Sequence, residues 1–281
     1  WVAIGFAAVF VHRYLSRTWV LAFLAVLSTT PAVLYSAGTG QVEIRLALFV
    51  TTACLAVVAA RGKQDLSFVV IAGLAAGFCA GGKYTGLLFV AAVGIAMLYG
   101  KGGIRRALVY SGAAVFAGFQ WYFWNLLHTG DPVFPMLYGL LGYETPYWNE
   151  GHLLQFQHNF FNNEHAVASN PIWMLLYPFL ATFATSPLFD SERAGLGPFF
   201  LLSLPFATLA FWQGRGQILR HTLWPAFCTV VAFYILWFLV GSSQRTRHLV
   251  PIYPVVLMLV VQLHTNEQLM LYQTQMSLIL T

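Results

Sequence analysis

Long apolar runs, separated by short polar or basic turns, set the pattern of this chain. They fall at about 1–11, 19–37, 44–60, 66–82, 84–99, 107–126, 172–189, 197–212, 222–241 and 249–264. A helix needs about 20 apolar residues to cross a bilayer, and most of these runs reach or approach that length. The pattern predicts an all-α fold: a polytopic transmembrane helical bundle. The stretch 127–171 breaks the rhythm with turn formers and aromatics, Leu127 to Pro135 and Tyr143 to Glu150 among them. A disordered linker has fewer aromatics, so a long extracytoplasmic loop carrying short interfacial helices is expected there. The organisation read from the sequence is 1–126 as transmembrane helices, 127–171 as the loop, and 172–281 as an interfacial segment followed by further transmembrane helices.

Composition strengthens the membrane reading. Only 8% of the 281 residues are charged and 59% are hydrophobic, against about 25% charged in an average soluble domain. The net charge of +5 comes from scattered basic residues, with no dense patch to suit nucleic acid. Arg13 and Arg17, then Arg61 and Lys63, then Lys101, Arg105 and Arg106 lie in turns that alternate onto one side, which the positive-inside rule makes cytoplasmic. Residues 38–43, 82–85 and 127–171 then face outward. Past residue 171 two topologies stay open, and Pro178 and Pro187 favour an interfacial path for 172–189 over a span. Cys54, Cys79 and Cys228 sit inside apolar stretches and form no CxxC pair. The apolar start, Trp1 to Val11, is too short to span, so the chain is expected to begin inside a helix.

Charges beside apolar spans are costly and usually face a cavity or a partner. Glu43 and Arg45 stand where an outward turn meets the run 44–60. A carboxylate there can act as a base, or bind a sugar hydroxyl or a metal; the plainer alternatives are a charge pair or a solvated helix start. Lys83, in Gly81-Gly82-Lys83-Tyr84-Thr85-Gly86, lacks the spacing of a Walker A loop. It places a cation at lipid-phosphate depth, or simply snorkels. Arg245, Arg247 and His248 precede the last run. Their chemistry suits a phosphate, although interfacial anchoring explains them equally well. His152, His158 and His165 with Glu150 and Glu164 match no zinc spacing, and HExxH is absent, so a metal is not expected from them.

Five segments together resemble the C-type (GT-C) glycosyltransferase superfamily, the multi-spanning enzymes that use polyprenyl-phosphate sugars. They are PAVLYSAGTGQVEIRLALF (31–49), GGKYTGLLF (81–89), WNLLHTGDPVFP (124–135), GLGPFFLLSLP (195–205) and RTRHLVPIYP (245–254). The nearest group would be bacterial and protein-mannosyltransferase-like. Glu43 stands where the family usually has Asp, Asp131 where it has Asn, and His248 where it has Tyr. The family's principal catalytic Asp lies in its first outward loop, so this sequence is expected to be a fragment lacking the N-terminal span and that loop.

The resemblance implies inverting sugar transfer to an acceptor hydroxyl at the outer face of a bacterial inner membrane. Lys83, Arg245 and Arg247 would bind the donor phosphate, and Glu43 would be a second acidic group. Tyr84, Asn125, Asp131 and His248 would position substrate or loop. No cofactor is required, and a divalent metal is allowed. The implied partners are a polyprenyl-phosphate sugar and membrane lipid. A non-enzymatic membrane scaffold is the rival reading. A transporter fits less well, because most ionisable groups lie near run ends rather than mid-span.

Overall fold

A computed structural model describes residues 2–61, 65–99, 102–184, 189, 195–199, 201–205, 208–209, 212 and 221–262. Lys63, Lys101, Pro187, Arg215, Arg220 and the tail 268–281 lie outside them. The described residues are helical, with a single isolated β-bridge, Thr145 to Trp148, and no named strand. In chain order the helices are α1 (Val2–Val11), α2 (Arg17–Thr29), α3 (Pro31–Gly38), α4 (Val42–Ala60), α5 (Ser67–Gly82), α6 (Thr85–Leu98) and α7 (Gly103–Thr129). There follow α8 (Tyr138–Leu141), α9 (Glu150–Asn163), α10 (Pro171–Phe183) and α11 (Trp224–Val240). Last comes a 3-10 helix, Thr246–Ile252, whose helical path continues to Gln262.

The apolar runs map closely onto these helices, with informative differences. The run 19–37 is two helices, α2 and α3, meeting at a 62° bend. Pro31 causes it: proline lacks the N–H a continuous helix needs and pushes Thr30 into an extended conformation, φ −65° and ψ 123°. Among the described residues only α4, with 19 residues and a mean hydropathy of 2.0, is long and apolar enough by itself to cross a membrane. The α2–α3 pair meets the same test if counted as one broken span. The expected all-α fold is therefore matched, while among the described residues the lengths of the helices single out one span, or two with the bent pair, rather than a polytopic set. Within 127–171, α7 runs on to Thr129 before the chain turns. The two short helices α8 and α9 follow. Asn149 caps α9: its side chain accepts from the His152 N–H, and its own N–H donates to His152 Nδ1. Asn170 caps α10 with Pro171 in its first turn.

The core centres on α4, α5, α6 and α11. Its tightest join is α5 against α7. Gly73, Gly77 and Gly81 recur every fourth residue, so they share one face of α5. Opposite stand Ala113, Ala114, Ala117 and Gly118 of α7. A Cβ on Gly77 would overlap the Ala114 carbonyl oxygen, and one on Gly118 would meet the Gly77 carbonyl oxygen at 2.8 Å. Small residues here let two backbones touch, the device membrane helices use where no water is squeezed out.

Gly77→Val is expected to destabilise the fold by about 1–3 kcal/mol, because backbone rather than a mobile side chain blocks the added atoms. Gly112→Ala, on α7 where nothing lies within 4 Å of the new Cβ, is expected to be neutral or stabilising. Thermal unfolding of both variants in one detergent checks the pair; equal shifts would show that the seam is not a tight contact.

Candidate functional site

Three separate segments bring charge together. Glu43 lies in the first turn of α4, Lys83 follows the last residue of α5, and Arg247 lies in the first turn of the 3-10 helix. Glu43 is 3% exposed. A buried carboxylate needs a counter-charge or hydrogen-bond donors. Lys83 Nζ donates to Glu43 Oε1 at 2.6 Å, and Arg247 Nε lies 3.9 Å from the same oxygen. Burial pushes the Lys83 ammonium below its ordinary pKa; the Glu43 carboxylate pulls it back up, Arg247 lowers it and Glu164 raises it. Arg45, two residues beyond Glu43, is exposed.

Arg245 has a different carboxylate. Its Nη2 donates to Glu164 Oε1 at 2.6 Å. Arg245 is extended, with φ −70° and ψ 131°, just before the 3-10 turn. That geometry separates it from Arg247, so the two arginines reach different partners. His248 is buried behind them. Burial, with Lys83, Arg247 and Arg245 nearby, holds its imidazole well below the ordinary value of 6.5.

Gln244 fixes this segment in place, and nothing in the sequence singled it out. It is fully buried and uses every polar group. Its N–H donates to the Glu164 carbonyl at 2.8 Å, and its Oε1 accepts from the Val167 N–H at 3.0 Å. Its Nε2 donates to Ser169 Oγ at 3.3 Å, and its carbonyl accepts from Tyr177 OH at 2.5 Å. His165 Nε2 also contacts the Gly241 carbonyl at 3.1 Å. The end of the long loop is thus zipped to the strip that carries both arginines.

Tyr84, Asn125 and Asp131 form a neighbouring network. Asn125 Nδ2 donates to Tyr84 OH at 2.9 Å and to the Pro132 carbonyl at 3.3 Å. Tyr84 OH donates to the Phe134 carbonyl at 2.6 Å, next to the cis peptide Phe134–Pro135. Asp131 is fully buried, and its two carboxylate oxygens accept from the Val133 and Leu137 N–H groups, each at 2.8 Å. These residues hold the start of the loop down onto α7 and the turn after α5. The structure therefore gathers Glu43, Lys83, Arg245, Arg247 and His248 into one charged group and places Tyr84, Asn125 and Asp131 in the loop anchor beside it. Glu164, first grouped with the histidines, belongs to the charged group instead.

An apolar cavity of about 470 Å³, with no charged side chain in its lining, adjoins the charged group through Thr246. Tyr177 and Ala181 of α10, Phe227 and Tyr234 of α11, and Leu249 and Val256 of the last helix contribute to its wall. Thr246, flanked in the chain by Arg245 and Arg247, also lines it. Among the described residues no group of three or more His, Cys, Asp or Glu side chains is placed to hold a metal ion. His152 is used in the α9 cap and His165 on the Gly241 carbonyl. Comparison with family models, with curated proteins and with solved structures gives no match.

Two outcomes follow from this geometry. Gln244→Ala strands the Val167 N–H in a partly buried setting and is expected to cost about 1 kcal/mol. It should also speed proteolysis near 164–170, read beside thermal unfolding; an unchanged cleavage rate would show that the zip does not hold the loop. The second concerns pH. His248 stays neutral when folded, whereas the unfolded chain takes up a proton below about 6.5. Its contribution is complete above that value and is lost as pH falls through the depressed folded value. Unfolding midpoints across about pH 5 to 8 should drop on the acid side, and less steeply in His248→Gln.

Proposed function

We propose that this chain is a multi-helix membrane protein that binds a polyprenyl-phosphate sugar and transfers the sugar to an acceptor hydroxyl, as the resemblance to C-type glycosyltransferases implies. The observation that carries the reading is the placement of Lys83, Arg245 and Arg247 as one cationic group beside an apolar cavity. A lipid phosphate combines those two chemistries in one molecule. The membrane setting is supported by the outer face of α7, where Leu108, Val115, Phe116, Phe119 and Phe123 are exposed. A contiguous apolar face of that kind suits lipid rather than water.

In the proposed transfer the acceptor hydroxyl loses its proton to a carboxylate, and its oxygen bonds to the anomeric carbon. The bond from that carbon to the phosphate oxygen breaks, with its electron pair going to the phosphate. Fixed cations aimed at that oxygen stabilise the developing charge. Lys83 and the two arginines are suited to this task, since guanidinium groups bind phosphate oxygens in pairs. Glu43 holds Lys83 in the resting arrangement. It becomes available to orient the acceptor hydroxyl, as a second acidic group, when the ammonium turns from Glu43 Oε1 to the departing phosphate. The reaction requires no cofactor on this scheme, and a divalent metal would be an addition to it.

Lys83→Ala and Arg245→Ala are each expected to weaken binding of a polyprenyl-phosphate sugar to the purified chain by about tenfold or more, a loss on the order of 1.4 kcal/mol. Glu43→Gln should lower turnover more than binding. Wild-type affinity in both cation variants would overturn the assignment of the phosphate to this group.

A further inference from the structure

Glu164 is the unexpected member of the charged group, and its position bears on which donor the group accepts. This inference rests on the donor reading above. Glu164 lies at the C-terminal end of α9, and its carbonyl accepts the Gln244 N–H at 2.8 Å. Its carboxylate takes the Arg245 guanidinium at 2.6 Å, and its charge also acts on Lys83. The zip around Gln244 anchors the backbone on both sides of this ion pair. Arg245 can therefore turn from carboxylate to phosphate by side-chain motion while both segments stay in place.

The charge count of the group is informative. Lys83, Arg245 and Arg247 supply three positive charges, and Glu43 and Glu164 supply two negative ones, which leaves one positive charge. His248 adds nothing while it is neutral. Asp131 and Arg45 are not among the charges that act on Lys83 or on His248. A sugar linked through one phosphate is a phosphodiester with a single negative charge, so it brings the group to neutrality. A sugar linked through a diphosphate carries at least one charge more. In this partly buried setting the excess is weakly screened and costly.

We propose that Glu164 sets the net charge of the donor site and thereby selects a singly charged phosphodiester over a diphosphate-linked donor. It is a specificity-determining residue that acts through Arg245. Replacing it by a neutral side chain raises the site by one positive charge and removes the penalty on the diphosphate.

The test uses the full chain in detergent, with farnesyl methyl phosphate as the phosphodiester probe and the P1-farnesyl P2-methyl diphosphate diester as its competitor, by titration calorimetry at low salt. Wild type is expected to prefer the phosphodiester by about tenfold. Glu164→Gln should shift the ratio of affinities toward the diphosphate by about fivefold to tenfold. Glu164→Asp keeps the charge and should keep the wild-type ratio. A wild-type preference for the diphosphate would overturn the proposal without any variant. So would a Glu164→Gln ratio equal to wild type, or two affinities that fall together, since those results leave Glu164 only a structural latch. Wild-type protein that binds neither probe would remove the donor reading itself, and this inference with it. Binding of the phosphodiester with an unmoved ratio would remove the inference alone.

Discussion

A carboxylate buried inside an apolar helical bundle has to keep a cation beside it, and the packing around Glu43 follows from that requirement. Transfer of a charge out of water costs several kcal/mol even after relaxation, and a nearby opposite charge recovers it only at short range. Glu43 meets the condition with Lys83 at 2.6 Å and Arg247 at 3.9 Å. Those partners come from the end of α5 and the start of the 3-10 helix, so the pairing ties three segments that are distant in the chain. Removing one partner would leave the other charge buried without compensation. That asymmetry favours a single arrangement of the three segments even if the net gain from each pair is small.

The charged group also depends on a contact that carries no charge. The small-residue seam from Gly73 to Gly81 brings α7 against α5 along the same half of the helix that leads into Lys83. Close approach of the two backbones places Asn125 of α7 within reach of Tyr84, one residue past Lys83. Tyr84 in turn holds the Phe134 carbonyl, and Asp131 closes the turn between them. A larger residue in the seam would move the loop start and the cation together. The position of Lys83 is thus set from two sides, by an ion pair in one direction and by steric closeness in the other.

Much of the helical architecture could be read from the apolar runs, because a run of helical length bounded by polar turns leaves little choice of element. The bend at Pro31 was readable in principle from proline chemistry, yet the run 19–37 masks it, since apolar content alone does not register a missing N–H. The charged residues stood out for the same reason as the runs: a charge in apolar surroundings is conspicuous. Which charge meets which was not readable. Lys83 and Glu43 are 40 positions apart, and Arg245 and Glu164 are 81 apart, so their pairing is a property of packing. Glu164 reads in the sequence as one more polar loop residue beside the histidines, while its spatial neighbour is an arginine. Gln244 gave no signal, being neutral and flanked by more conspicuous residues.

That last case shows how a neutral residue governs charged ones. Arg245 and Arg247 are separated by one residue, and in a regular helix both would leave the backbone on diverging faces with no common target. Here Arg245 is held extended before the 3-10 turn, and Gln244 fastens the segment to the loop through its N–H and its side-chain amide and to α10 through its carbonyl. The fastening fixes where the extended residue sits relative to Glu164, and the turn then aims Arg247 back at Glu43. Because the polar groups of Gln244 are all satisfied, the segment carries no unpaired amide to relax toward, and the two guanidinium groups keep their directions. The arrangement of charge in this protein is accordingly a consequence of backbone hydrogen bonding first, with Coulomb attraction acting on side chains already placed.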